Sequence, residues 1–330
     1  MSSFDFSELG PDLILDAIES VGIYPESGLL PLNSYENRVY QFKADDGLRY
    51  VAKFYRPERW SNQQIAEEHD FAFTLAEAEI PVIAPCRIEG KSLFEHNGYR
   101  FCLFPSVGGR MFELDNLDQL EWLGRLLGRL HKVSHTKEFS TRDKVNFRQE
   151  AESAREQLAN VDLLPDYLRN TFFHDLDMMV EEMLAQTQHL EYNNIQLHGD
   201  CHAGNILWQQ DSDKSEALLV DLDDCVTGPA IQDIWMMLSG DRQNKLLQLD
   251  TLVCAYEEFH EFDHAELALI EPLRARRMLN YMAWIAKRWS DPAFPRNFSW
   301  FATDKYWEQQ VLAMKEQIAA LREPALKLMP

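Results

Sequence analysis

One stretch constrains this chain more than any other: His198–Gly199–Asp200–Cys201–His202–Ala203–Gly204–Asn205, entered through Asn194–Leu197 and left through Ile206–Leu207–Trp208. Apolar runs on either side of a polar, glycine-bearing loop read as strands joined by that loop. Asp211–Ser212–Asp213–Lys214–Ser215 then turns the chain into Ala217–Leu218–Leu219–Val220, which ends in Asp221–Leu222–Asp223–Asp224. Such a hairpin sets Asn205 beside Asp221, although they stand sixteen positions apart.

An Asp, an Asn five positions on, and a further Asp at the end of a returning strand suit phosphoryl transfer. That reaction needs little covalent help from a protein, mainly a positioned hydroxyl and Mg²⁺ to neutralise phosphate oxygens. Asp200 would orient the hydroxyl and accept its proton. Asn205 and Asp221 offer hard oxygens to Mg²⁺, with phosphates and water completing the shell. Asp223 would face the same side as Asp221 and ranks after it as an aid to a second ion. A turn merely capped by Asp200 and Asn205 is the plain alternative. The His–Gly prefix, the apolar exit and the distant Val–Asp together favour a kinase over it. A zinc cluster of His198, Asp200, Cys201 and His202 is a third reading, disfavoured because close neighbours on an extended chain point alternately.

The 330 residues suggest about two domains or lobes, and 45% apolar with 12% aromatic residues indicate a folded chain. Lys and Arg number 32 against 54 Asp and Glu, a formal charge of −22, which disfavours nucleic acid and anionic membrane as partners. The five cysteines are scattered without C-x-x-C spacing, so a disulfide framework is not expected. With no apolar leader near Met1–Pro11 and no run of some 18 apolar residues, a soluble cytoplasmic protein is expected.

Leu13, Ile14, Ala17, Ile18 and Val21 are spaced as a helix face over 11–22. Arg38–Lys43 and Arg49–Tyr55 alternate as strands around Asp45–Asp46–Gly47, which predicts a hairpin. The polar turn Asn33–Asn37 precedes it. In a kinase that turn covers the phosphates, with Ser34 as a donor, and Lys53 on the return strand neutralises them. A Gly-rich G-x-G-x-x-G is absent. Ser61 caps a helix to about Glu79, from which Glu68 would pair with Lys53, with Glu67 as the rival. Strand-like pieces around Ile88 and at Tyr99–Phe104, joined at Asn97–Gly98, complete a small antiparallel sheet. Phe104–Pro105–Ser106–Val107–Gly108–Gly109 reads as an interlobe hinge.

Beyond it, Asn116 caps a leucine-striped helix to about His135, residues 140–160 are polar and weakly patterned, and 164–189 read as helix. Gly228–Pro229 precedes a helix with Ile231, Asp233 and Trp235, and two more helices follow near 243–260 and 264–289. Cys201, beside Asp200, raises the possibility of oxidation at the site, against which the flanking Asp argues by raising the thiol pKa.

The catalytic stretch resembles the aminoglycoside phosphotransferase and choline kinase superfamily, which has a protein-kinase-like fold. Pro31–Leu32–Asn33–Ser34–Tyr35–Glu36–Asn37–Arg38–Val39–Tyr40, Lys53–Phe54–Tyr55–Arg56–Pro57–Glu58–Arg59–Trp60, Phe104–Arg110, Leu197–Trp208 and Asp291–Pro295 are similar to the bacterial stress response kinase A family. The resemblance covers nearly the whole chain. It implies an ATP- and Mg²⁺-dependent serine/threonine protein kinase of the cytoplasm, connected with stress survival and acting on protein substrates; a monomer is expected separately. The expected fold is α+β and two-lobed: an antiparallel-sheet N-terminal lobe over 1–106 and a mainly helical lobe over 107–330. A small-molecule kinase acting on an amino alcohol or sugar hydroxyl is the second reading, because the same loops serve both. A nucleotide-binding regulatory protein without turnover is the third.

Overall fold

The computed structural model of the protein describes residues 5–210 and 215–328; the turn expected from Asp211 to Lys214 lies outside them. Two compact units divide the chain. The first takes residues up to 143 with 195–227 and 251–261; the second takes 144–194, 228–250 and the chain from 262 onward.

In the first unit, helix α1 (Pro11–Glu19) begins with Pro at its first turn, where no backbone N–H is needed, and buries Ile14, Ala17 and Ile18. They join Phe42, Phe54, Tyr99 and Phe101 in one core. That core lies on an antiparallel sheet of β1 (Leu30–Pro31), β2 (Arg38–Lys43), β3 (Arg49–Phe54), β4 (Phe94–His96) and β5 (Tyr99–Pro105), ordered β1-β2-β3-β5-β4. The register sets Lys53 opposite Val39 on one side and Cys102 on the other. The β4–β5 turn is Asn97–Gly98, at φ 47° and 82°, the left-handed pair that a two-residue hairpin requires. The strand preceding it is Phe94–His96 and not the stretch around Ile88. Ile88 makes only an isolated bridge to Lys91, because Glu89 and Gly90 turn the chain at positive φ.

Helix α2 (Asn62–Glu77) starts in a full capping box: Ser61 accepts from Gln64 N, and the Gln64 side chain accepts from Ser61 N. Its buried face holds Ile65, Phe71, Ala72 and Leu75, and also Glu68 and His69. Strand β6 (Arg110–Met111) leads to α3 (Leu117–Ser134), capped by Asn116. Gly124 and Gly128 on α3 let residues 251–257 pass in contact. A Cβ on either would come within 2.4 Å of the Leu252 or Tyr256 carbonyl oxygen. Strand β7 (Ile195–Leu197) enters the loop over 198–205, and β8 (Ile206–Gln210) pairs β9 (Ser215–Leu219) antiparallel, Ile206 opposite Leu219, with β6 on the outer edge.

The second unit is helical. Helix α4 (Phe147–Ala159) lies in the stretch whose polarity masked it. Its buried face is Phe147, Ala151, Ala154 and Leu158, and two alanines in four positions carry little hydrophobic signal. It packs on α7 (Ile270–Lys287), while α5 (Asp166–Thr187) packs on α7 and on α9 (Asp304–Arg322). Helix α6 (Arg242–Glu257) starts in this unit, and α8 (Ala293–Asn297) is short. After Pro229 the chain makes 3₁₀ turns at Ala230–Asp233 and Trp235–Met237 in place of the continuous helix expected there. Buried Glu266 accepts from Ile231 N at 2.9 Å across these turns. Helix α9, like α4, is not anticipated from sequence. The architecture is α+β, an antiparallel sheet in the N-terminal part and mainly helix in the C-terminal part. Among the described residues no helix is long and apolar enough to cross a membrane.

Candidate active site

Alternation along β3 turns Lys53 inward, between Ala52 and Phe54, and its ammonium is almost wholly withdrawn from solvent. Lys53 Nζ lies 3.2 Å from Glu68 Oε1, 2.9 Å from Asp223 Oδ1 and 3.3 Å from Asp221 Oδ1. The contact with Asp223 Oδ1 is one of charge; that buried oxygen has no aligned hydrogen bond among the described residues. Burial opposes the charge on Lys53, yet Asp223, Glu68 and Asp221 hold its pKa well above that of an ordinary lysine. Burial likewise works against ionised Asp223, and Lys53, Arg59 and Arg142 outweigh it, so its carboxyl stays well below the usual range.

Glu67 and Glu68 point to different groups. Glu68, at the cluster, also accepts from Arg142 at 3.0 Å and from the Tyr55 hydroxyl at 3.2 Å. Glu67 faces the chain at 140–142 and takes backbone N–H groups of Ser140, Thr141 and Arg142 at 2.8–3.2 Å, with the Thr141 hydroxyl at 2.8 Å. Behind Glu68, His69 sits between Tyr55 Oη at 2.9 Å and Ser92 Oγ at 2.8 Å. Burial, with Lys53 and Arg142 nearby, brings its pKa down to about 3, so the ring is neutral.

The loop after β7 is locked onto the segment after β9. Gly199 has φ +86°, and a Cβ there would lie 2.1 Å from the Asp224 carbonyl oxygen. His198 Nε2 donates to Val220 O at 2.9 Å, and Val220 N donates to Asn205 O at 3.0 Å. Asn205 Nδ2 donates to Asp200 O at 3.0 Å, which fixes the amide and turns Oδ1 away as an acceptor. Gly204 N donates to His202 Nδ1, so in the neutral ring Nε2 carries the hydrogen, 3.4 Å from Asp200 Oδ2. Asp221 adopts the left-handed conformation at φ 61°, and its side chain is 54% exposed. An Asp tolerates that conformation better than most residues.

The structure therefore gathers Lys53, Glu68, Asp221 and Asp223 in one cluster and ties Asp200 to Asn205 beside it. Ser34 stands in the separate turn over 33–37, half-buried. That turn is pinned by Arg56, whose Nε donates to Glu36 O at 2.9 Å and whose backbone N donates to Asn37 Oδ1 at 3.0 Å. Arg59, which pairs with Asp223 and Asp224, and Arg142 are cluster residues that sequence reasoning missed. Arg59 belongs to the Lys53–Trp60 motif and was within reach; Arg142 sits in a polar stretch with no pattern to mark it.

The donor set fits Mg²⁺. An oriented amide oxygen and a half-exposed carboxylate, backed by a buried carboxylate with an unaligned oxygen, match an ion that binds few side chains and keeps phosphate and water ligands. Among the described residues no group of three or more His, Cys, Asp and Glu side chains is placed to hold a metal ion. His198 is spent on Val220, and Cys201 is buried.

Residues 28–270 match the phosphotransferase enzyme family. The chain is 48% identical over 329 residues to stress response kinase A of Escherichia coli O157:H7, covering 100% of this chain and 98% of that protein. It is 47% identical, with the same coverage, to the serine/threonine protein kinase RdoA of Salmonella typhimurium. Among solved structures, an amicoumacin kinase in complex with AMP-PNP, Ca²⁺ and Ami superposes with a TM-score of 0.72 at 17% identity, over 94% of this chain and 93% of that one. A microcompartment-associated aminopropanol kinase gives a TM-score of 0.69 at 16% identity, over 96% of this chain and 99% of its own. The family match and these two likenesses together establish the aminoglycoside phosphotransferase-like fold.

Proposed function

We propose that this chain, which belongs to the phosphotransferase enzyme family, is an ATP- and Mg²⁺-dependent serine/threonine protein kinase acting in stress response. The observation that carries the phosphotransfer reading is the buried Lys53–Glu68 pair brought to Asp221 and Asp223 by a strand, a helix and a hairpin distant in sequence. The name of the Salmonella relative at 47% identity supports protein as the substrate.

In this reading Lys53, held by Glu68, neutralises the α- and β-phosphates, and the turn with Ser34 covers them. Asp200 orients the substrate hydroxyl and takes its proton as the hydroxyl oxygen bonds to the γ-phosphorus and the bond to the β–γ bridging oxygen breaks, with ADP leaving. His202 steadies that carboxylate from 3.4 Å. Asn205 and Asp221 would hold Mg²⁺, with Asp223 in support; the ion supplies charge neutralisation at the transferring phosphoryl group. The segments 1–106 and 107–330 act as the nucleotide-covering and catalytic lobes of a cytoplasmic, monomeric enzyme.

The test is transfer of labelled γ-phosphate from ATP with Mg²⁺, comparing wild type with Asp200→Asn, on generic proteins and on a panel of hydroxyl metabolites. Label in protein that depends on Asp200 is the expected result. Label only in a small alcohol would make this a small-molecule kinase, the activity in the names of both structural neighbours above. ATP binding with no Asp200-dependent transfer would make it a regulatory nucleotide binder.

A further inference from the structure

We infer that Arg142 is a positioning residue that ties the Lys53–Glu68 pair to the metal-loop backbone, so that α2 and residues 221–225 are held as one unit. The inference rests on reading Asp221 as a Mg²⁺ ligand.

Arg142 has a wholly buried side chain, and its guanidinium is shared among three places in the sequence. Nε donates to Gln64 O at 2.9 Å, in the first turn of α2. One terminal nitrogen donates to Asp223 O at 2.7 Å and Cys225 O at 3.2 Å. The other donates to Glu68 Oε2 at 3.0 Å. Trp60 lies against the guanidinium plane, 4.5 Å from ring centroid to Cζ. Glu68 thus has one oxygen on Lys53 and the other on Arg142, and the chain of contacts runs Lys53, Glu68, Arg142, then the carbonyls that flank Asp224.

The surroundings reinforce this placement. The backbone N–H of Arg142 is held by Glu67, the residue next to Glu68, at 3.0 Å. Two successive acids of α2 therefore grip one residue, one by its peptide and one by its side chain. A buried ion pair is weak evidence for stability, since apolar residues of similar volume often serve as well. A planar fork that reaches two carbonyls and a carboxylate together does what neither an apolar side chain nor a lysine can do. It fixes the backbone on both sides of Asp224, and so the approach of Asp221 and Asp223 to Lys53. Groups that orient metal ligands in this way cost about 10–100-fold in metal affinity or activity when replaced.

The experiment has two arms. In the first, amide hydrogen exchange is followed in wild type and Glu68→Gln with no nucleotide present. Faster exchange at 222–225 in Glu68→Gln is expected, transmitted through Arg142 from a side chain that bonds to Lys53, Tyr55 and Arg142. Unchanged exchange there overturns the inference. In the second, Arg142→Lys and Arg142→Met are measured for thermal stability, Mg²⁺ half-saturation and kcat. A rise of about tenfold or more in the Mg²⁺ requirement, with less than additive loss in the Glu68→Gln double variants, is expected. A lowered melting temperature with an unchanged Mg²⁺ requirement, or fully multiplicative losses, overturns it. If an Arg142 variant does not fold, the exchange arm decides. Because that arm needs no turnover, a protein that fails to transfer phosphate sinks the kinase reading and leaves this coupling to be judged separately.

Discussion

Lys53 Nζ and Glu68 Oε1 lie 3.2 Å apart, their side chains 6% and 3% exposed, and each has further partners of opposite charge. Lys53 also faces Asp223 and Asp221, and Glu68 also faces Arg142. A lysine so surrounded keeps its proton and has its direction fixed, which a phosphate-neutralising cation requires.

Removing one member separates charge from direction. Glu68→Gln leaves Lys53 on Asp223 and Asp221 but releases its restraint from α2. We expect kcat/KM for ATP to fall about 10–100-fold, with unfolding free energy lowered by about 1–3 kcal/mol. Lys53→Met should lower kcat/KM further while remaining folded, since Asp223 and Glu68 retain Arg59 and Arg142. Steady-state kinetics against ATP, with urea unfolding of both variants, check this.

Asp221 stands half-exposed in the left-handed conformation, a region that Asn adopts as readily as Asp. Asp221→Asn should therefore keep stability within about 1 kcal/mol of wild type, as surface changes without strain do. Its Mg²⁺ requirement should rise at least about tenfold because the site loses a carboxylate charge. A Mg²⁺ titration of transfer, beside a thermal melt, reads both.

Gly199 and Gly47 share nearly the same backbone, φ +86° and +82°, but not the same surroundings. A Cβ at Gly47 meets nothing within 4 Å, while at Gly199 it lies 2.1 Å from the Asp224 carbonyl oxygen. Gly47→Ala should cost about 1–2 kcal/mol, the left-handed penalty alone. Gly199→Ala should cost about 2 kcal/mol more and impair transfer, because the loop over 198–205 must retreat from the segment 221–225. Equal costs in urea unfolding would remove the close approach as the reason for glycine here.

Glu266 supplies a pH dependence away from these residues. Burial pushes its carboxyl up to about 8, against the N–H of Ile231 and with help from Asp263. The folded state keeps this proton between about pH 4.5 and 8, where the unfolded chain gives it up. Stability from this group is full below the unfolded value and is lost as pH rises through about 8. Glu266→Gln should flatten that slope, gaining about 2–4 kcal/mol on wild type between about pH 5 and 9. Chemical denaturation across that range measures it.

Much of this was legible in the chain itself, wherever the signal was local. The Ile206–Leu219 hairpin follows from two apolar runs, so the approach of Asn205 to Asp221 could be read without a structure. Strand alternation put Lys53 inward, and the capping residue Ser61 fixed where α2 begins. Local signals also misled. An Ala-rich face hid α4, and the isolated bridge at Ile88 lacks the neighbours that would extend it into a strand.

The choice between Glu67 and Glu68 marks where local reading ends. Both are helix glutamates one position apart, with the same chemistry and the same propensity. A rotation of about 100° per residue sends one to Lys53 and the other to the peptides of 140–142. Arg142 has no periodicity, motif or charge pattern to single it out, because its role consists of meeting Gln64, Glu68, Asp223 and Cys225, which the chain brings from elsewhere. Residue order alone set the groups on offer: an Asp and an Asn in one loop, carboxylates after a returning strand, and a lysine on another strand. Which acid answers that lysine, and which cations hold the acids, was settled only by folding, since those depend on distances between segments that no local pattern encodes.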